Sequence, residues 1–181
     1  MSDAEIVTAF TFAQICSKST FDQVFQYKIT TQILPTNKYL TRYQVIDSEI
    51  CSKCELEPDT VEHCLWSCNM IIPYLEKVEN YLRTECNLTG DISMIPYLFG
   101  FLNNKGLNHI LIELKKELFY NWDVNVEVDT FCERFLAKIR KLMVKEKHIM
   151  LANNEFDKYS EKWNQFREIY DFLGPDCQII F

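Results

Sequence analysis

Cysteine and histidine crowd into residues 51–68 as Cys51-x2-Cys54-x8-His63-x4-Cys68, and no other feature of the chain constrains its folding as tightly. Zinc is held by four soft or borderline donors at tetrahedral corners, thiolate sulfur at about 2.3 Å and imidazole nitrogen at about 2.0–2.1 Å. Two cysteines three apart can turn both sulfurs toward one point. The Pro58-Asp59 break lets the chain return, and a short helix would carry His63 and Cys68 one turn or slightly more apart. Cys64 is an alternative fourth ligand, but its adjacency to His63 would strain a tetrahedral arrangement, so Cys68 is favoured. Four protein donors leave no open position, which makes one structural Zn2+ the expected cofactor. Such an ion folds a segment too small to have its own core.

The chain has 181 residues, 48% of them hydrophobic and 14% aromatic, enough to pack a core. Only 4 glycines and 5 prolines disfavour an all-β architecture with many tight turns. No apolar run approaches the roughly 18 residues of a membrane span. Asp3 and Glu5 precede the mildly apolar stretch 6–15 and no basic residue does, the wrong charge order for a signal peptide. Crowded cysteines in a chain with no secretory signal point to metal and to a reducing intracellular compartment, nucleus or cytoplasm. Cys16, Cys64, Cys86, Cys132 and Cys177 are then expected as free thiols.

Hydrophobic periodicity predicts a mainly α-helical domain with an embedded CCHC zinc knuckle. A helix is expected over 21–34, with Phe21, Val24, Phe25 and Ile29 on or near one face and Pro35 stopping it. Thr36 or Asn37 caps a second short helix with Leu40 and Tyr43 on its apolar side. Further helices are expected over 71–82, 108–122, 129–153 and 154–172, with an irregular aromatic segment over 96–104. The first twenty residues give no assignment. The division that follows is an N-terminal segment (1–20), a zinc-binding module (21–90), a C-terminal helical region (91–173) and a tail (174–181).

The residues around the knuckle resemble a known family. Phe25-Gln-Tyr-Lys-Ile, Ile33-Leu-Pro-Thr-Asn-Lys-Tyr-Leu40, Asp47-Ser-x2-Cys51-x2-Cys54 and Glu57-x4-Glu62-His63-x4-Cys68 are similar to the zinc-binding domain of non-long-terminal-repeat (LINE-type) retrotransposon reverse transcriptases. Leu98-Phe-Gly100 and Leu107-Asn-His109 look like the region that follows in such elements. The resemblance covers about residues 21–163, and 33–68 is its specific part. It implies a nucleic-acid-associated module lying downstream of a polymerase, with RNA or DNA as partner. The chain has no Asp-Asp dipeptide of a polymerase palm, no room for that domain and no convincing endonuclease signature, so no enzyme is expected.

The net charge of −7 argues against a generally basic coat, yet it hides a basic segment. On a helix, Arg134, Lys138, Lys141, Lys145 and His148 fall in one stripe beside the apolar face of Phe131, Phe135, Ile139 and Leu142. Two readings stand open: a surface that follows a phosphate backbone, or an ordinary solvated outer face. Lys28, Lys38 and Arg42 form a smaller basic group upstream. The aromatic series ending in Trp163 and Tyr170 reads as core, and His109 as a capping or packed residue. The rival to nucleic-acid binding is a zinc-stabilised protein-interaction module, which the acidic balance favours.

Overall fold

Serine, threonine and asparagine side chains fix where several helices begin. The computed structural model describes residues 3–90, 92–100, 104–123 and 125–171. Ser19 Oγ accepts from the Asp22 N–H to open α2 (Thr20–Thr30), which follows α1 (Asp3–Cys16). Thr36 Oγ1 accepts from the Tyr39 N–H to open α3 (Asn37–Arg42), beyond the stop at Pro35. Asn104 Oδ1 accepts from the Leu107 N–H at 2.8 Å to open α6 (Lys105–Tyr120). Between them lie a π-turn (His63–Ser67), α4 (Ile72–Thr84) and α5 (Met94–Phe99). After α6 come α7 (Val128–Ala152), α8 (Phe156–Trp163), a 3-10 turn (Asn164–Phe166) and α9 (Arg167–Asp171). The fold is mainly helical; among the described residues the only strand-like pairing is the antiparallel bridge of Ile50 with Pro58.

Helix α6 is the axis of the molecule. It touches α1, α2, the π-turn, α7 and α8, and every residue from Gly106 to Lys115 is buried. A helix covered on all sides belongs to the core, not to the surface. Gly106 lets α8 come close: a Cβ there would stand 2.3 Å from the Lys162 carbonyl oxygen. The apolar cluster runs without interruption from Phe12 through Cys51, Leu65, Val78 and Leu111 to Phe135 and Ile169, so it crosses the expected division at residues 90 and 91.

Four local expectations change. Residues 3–16, left unassigned, form α1, which buries Ala9, Phe12, Ala13 and Cys16 at helical spacing. Helix α2 ends at Thr30, four residues short of its expected end, because Gln32 takes a left-handed φ of +58°. Its buried face is Asp22, Phe25, Gln26 and Ile29, while Phe21 and Val24 face outward. The segment expected to be irregular begins with helix α5, whose Pro96 sits in the first turn, where a missing N–H costs nothing. The expected 154–172 helix is broken at Asn164 by the 3-10 turn, and residues 172 and 174–181, with Cys177, lie outside the described residues.

Polar side chains inside the helical body pair with one another. Asp22 receives the Ser17 hydroxyl at 2.6 Å and Lys116 Nζ at 2.6 Å, and lies 3.3 Å from His109 Nε2. Lys162 Nζ donates to His109 Nδ1 at 2.8 Å, to both Glu146 oxygens and to the Cys16 carbonyl. Burial is the largest influence on Asp22 and opposes ionisation. The donors His109, Lys116 and Ser17 together outweigh it and hold the carboxyl well below the usual carboxylate range. Lys115 is fully enclosed, its ammonium donating to Gln26 Oε1 and to the carbonyls of Tyr97 and Leu98. Burial pulls it down to about 7.

Candidate metal centre

The structure brings Cys51, Cys54, His63 and Cys68 together, their donor atoms all within 4.8 Å of one another. Around a tetrahedral zinc at ordinary bond lengths the donors stand about 3.4–3.8 Å apart. Cys54 Sγ and His63 Nε2 are already 3.3 Å apart. Cys51, His63 and Cys68 are buried and Cys54 is half-buried.

Two short pieces of backbone make this convergence. The first is a knuckle closed by the Ile50–Pro58 bridge, in which the Cys51 N–H donates to the Glu57 carbonyl and the Glu55 N–H to the Cys51 carbonyl, both at 2.8 Å. Glu55 turns the corner with a left-handed φ of +56°. The second piece is the π-turn. On an α-helix, positions five apart are rotated by about 140°, so His63 and Cys68 would point to different sides. A Cys68 N–H to His63 carbonyl bond of 2.9 Å closes a wider i-to-i+5 turn and puts both on one side. The Thr60 hydroxyl accepts from the His63 N–H at 2.9 Å and sets its start.

The surroundings fit thiolate ligands. Backbone N–H groups of Lys53 and Cys54 are aimed at the Cys51 sulfur, those of Leu56 and Glu57 at Cys54, and that of Met70 at Cys68. A sulfur that accepts several N–H bonds is stabilised as the anion. His63 presents Nε2 to the sulfurs, and Glu57 Oε2 lies 3.2 Å from Nδ1, the carboxylate–imidazole arrangement that orients metal-bound histidines. Burial pushes Cys51 up to about 12 and raises Cys68 as well. Burial also acts on Cys54, yet the Leu56 and Glu57 N–H groups with His63 and Cys51 bring it down to about 6. Zn2+ would replace the protons on Cys51 and Cys68, and three thiolates would leave the centre one charge negative. Lys53 stands beside it and donates to the carbonyls of Cys64 and Leu118, fastening the knuckle to the C-terminal end of α6.

Cys64 points away. Its Sγ lies 3.6 Å from the Val61 carbonyl, and burial keeps it a neutral thiol. Cys16, Cys86 and Cys132 are likewise buried, and none of them, nor any of the clustered cysteines, is in a disulfide.

A second group, Asp22, His109 and Glu113, also has its donors within 4.8 Å. Lys116 Nζ lies 2.6 Å from Asp22 Oδ1 and 2.5 Å from Glu113 Oε1, so an ammonium holds the position a metal cation would take. Sequence reading treats His109 as packed but misses its partners, which come from helices far apart in the chain.

Along α7, Arg134, Lys141, Lys145 and His148 are exposed. Lys138 is half-buried and faces α6, where it pairs with Glu113 at 2.9 Å and with Glu117. Burial is the largest influence on its ammonium, but the two carboxylates overcome it and raise the pKa. Its charge is therefore already neutralised within the fold. Upstream, Lys38 and Arg42 are exposed on α3 and Lys28 is half-buried on α2. Trp163 is core, its indole N–H donating to Glu146 Oε2 at 2.7 Å. No helix among the described residues is long and apolar enough to cross a membrane. Comparison of the chain with protein-family models and with curated proteins finds no match.

Proposed function

We propose that this chain is a non-catalytic domain whose fold is completed by one structural zinc and whose partner is RNA or DNA. The observation that carries the reading is the convergence of Cys51, Cys54, His63 and Cys68 within sequence that resembles the zinc-binding domain of LINE-type reverse transcriptases. Four protein donors would fill the zinc's coordination, so the metal has no position for a substrate. Three thiolate ligands must stay reduced, which suits an intracellular compartment, nucleus or cytoplasm. The exposed Arg134, Lys141, Lys145 and His148 supply a basic stripe for phosphates.

A second reading, a zinc-stabilised protein-interaction module, is favoured by the outward-facing side chains Phe10, Phe21, Val24, Tyr27 and Tyr120. The two separate in one titration of labelled RNA and DNA against the protein at rising salt. The nucleic-acid reading expects binding at low salt. It also expects the triple variant Arg134→Ala, Lys141→Ala, Lys145→Ala to flatten the plot of log affinity against log salt by about 0.7–0.9 per lost phosphate contact. No binding by the wild-type chain at low salt would promote the protein-interaction reading.

A further inference from the structure

We infer that the groove between α3 and the zinc knuckle takes one nucleotide unit of a single-stranded RNA or DNA, with Lys38 and Arg42 on its phosphates and Tyr39 against its base. The inference rests on the nucleic-acid reading above and gives it a site. The groove encloses about 510 Å³, within the roughly 300–1,000 Å³ that small-ligand sites occupy. Lys38, Arg42, Tyr39, Thr41 and Gln32 line one side, and Glu49, Thr60 and Val61 come from the knuckle and the entry to the π-turn.

The chemistry of the lining selects the occupant. Lys38 and Arg42 are exposed, and neither has a carboxylate within ion-pair distance among the described residues. That contrasts with Lys138, which the fold has already neutralised. Among the described residues Glu49 is the one acid in the lining, and it disfavours a purely phosphate ligand. Tyr39 and Tyr43 stand with ring centroids 4.9 Å apart at 47°, an aromatic corner beside the two cations. Cations next to an aromatic face are the arrangement on which unpaired bases stack while their backbone is held. A duplex keeps its bases stacked inside and cannot offer one to such a corner. The buried Thr41 hydroxyl, in the same wall, has no hydrogen-bond partner among the described residues.

The groove also explains how a metal without an open position serves binding. The backbone N–H of Asn37 donates to Asp59 Oδ2 at 2.9 Å, and its side-chain amide donates to the Ile50 carbonyl at 2.6 Å. The Lys38 N–H reaches the Asp59 carbonyl at 3.3 Å. These bonds fasten α3 to the loop that carries Cys51 and Cys54, so zinc would hold the two walls in register.

The test is fluorescence anisotropy of labelled short oligouridylate, oligodeoxythymidylate and a duplex, titrated with the full chain loaded with zinc. In the double variant Lys38→Gln, Arg42→Gln, the salt slope for single strands is expected to fall by about 1.4, from roughly 0.7 per contact. Tyr39→Ala is expected to weaken single-strand binding roughly tenfold, and Tyr39→Phe to keep wild-type affinity. Zinc content and circular dichroism of each variant separate lost contacts from lost folding, and the exposed Lys38 and Arg42 substitutions leave folding intact. The RNA and DNA arms decide which strand the groove prefers. Wild-type binding with both Lys38 and Arg42 replaced and the salt slope unchanged would overturn the groove and leave the wider reading standing. Duplex binding as tight as single-strand binding, with the same loss on Tyr39→Ala, would overturn the single-strand assignment. Absence of all binding by the wild type would overturn the wider reading and the groove with it.

Discussion

Around Cys68 and around His109 the chain buries polar atoms by different means. The knuckle has little apolar material: Ser52, Glu55, Glu57 and Pro58 are exposed, and Leu56 is 70% exposed. One backbone bridge closes it. Its gathered sulfurs and imidazole lie close enough to share one metal cation. The helical body has apolar material to spare, and there Asp22, His109, Lys115 and Lys162 are buried with charge set against charge or against carbonyl oxygen. Buried ion pairs gain little net stability, but removing one partner leaves the other stranded. The comparison teaches that a metal would stand in for a core where the core is thin, whereas a thick core can tolerate charges it does not need for cohesion.

The sharpest way to break this contrast is to remove zinc. Structural zinc contributes about 10–16 kcal/mol in small zinc modules. Under a strong chelator, the amides of Cys51, Glu55 and Cys68, bonded to Glu57, Cys51 and His63 carbonyls, should lose hydrogen-exchange protection by several orders of magnitude. Amides in the middle of α6 should keep most of theirs. Equal loss in α6 would show that knuckle and body are one cooperative unit.

A smaller effect sharpens the other side. Asp22→Ala leaves Lys116 with Glu113 alone and removes the partner of Ser17 and His109, at an expected cost of about 1.5–3 kcal/mol near neutral pH, with zinc content unchanged. Because Asp22 is held ionised in the folded chain, its contribution is present above the unfolded carboxyl value of about 3.9 and is lost as pH falls through the lower folded value. Denaturation curves of wild type and variant should therefore converge as pH drops below about 4. A constant gap across that range would mean that Asp22 acts by packing and not by charge.

Much of this was legible beforehand, for reasons that differ by region. The cluster of Cys51, Cys54, His63 and Cys68 could be read because metal coordination imposes spacing on sequence, and that logic placed Cys68 ahead of Cys64. The helical class could be read from apolar periodicity and from Pro35 followed by Thr36. The first helix was hidden because apolar residues ring it, Ala9, Phe12, Ala13 and Cys16 buried while Val7, Phe10 and Ile15 face outward, so no single stripe stands out. Pro96 reads as a breaker until its place in a first turn is known. The π-turn was invisible because its sequence is that of an ordinary helix; the ligand spacing demanded only that His63 and Cys68 meet. Nothing in the sequence marks Asp22, Gln26 and Lys115 as buried, since Gln26 meets Lys115 across 89 residues and Asp22 meets Lys116 across 94. The same blindness placed Lys138 on an outer stripe, although its charge is already paired with Glu113 and Glu117.

The central claim is the identity of the four ligands, and native mass spectrometry of zinc-loaded protein tests it most directly. Wild type and Cys64→Ser should each carry one zinc per chain, and Cys68→Ser should lose it, because Cys68 and not Cys64 shares the cluster with Cys51, Cys54 and His63. Zinc retained by Cys68→Ser and lost from Cys64→Ser, or a wild-type chain that takes up none, would contradict the account.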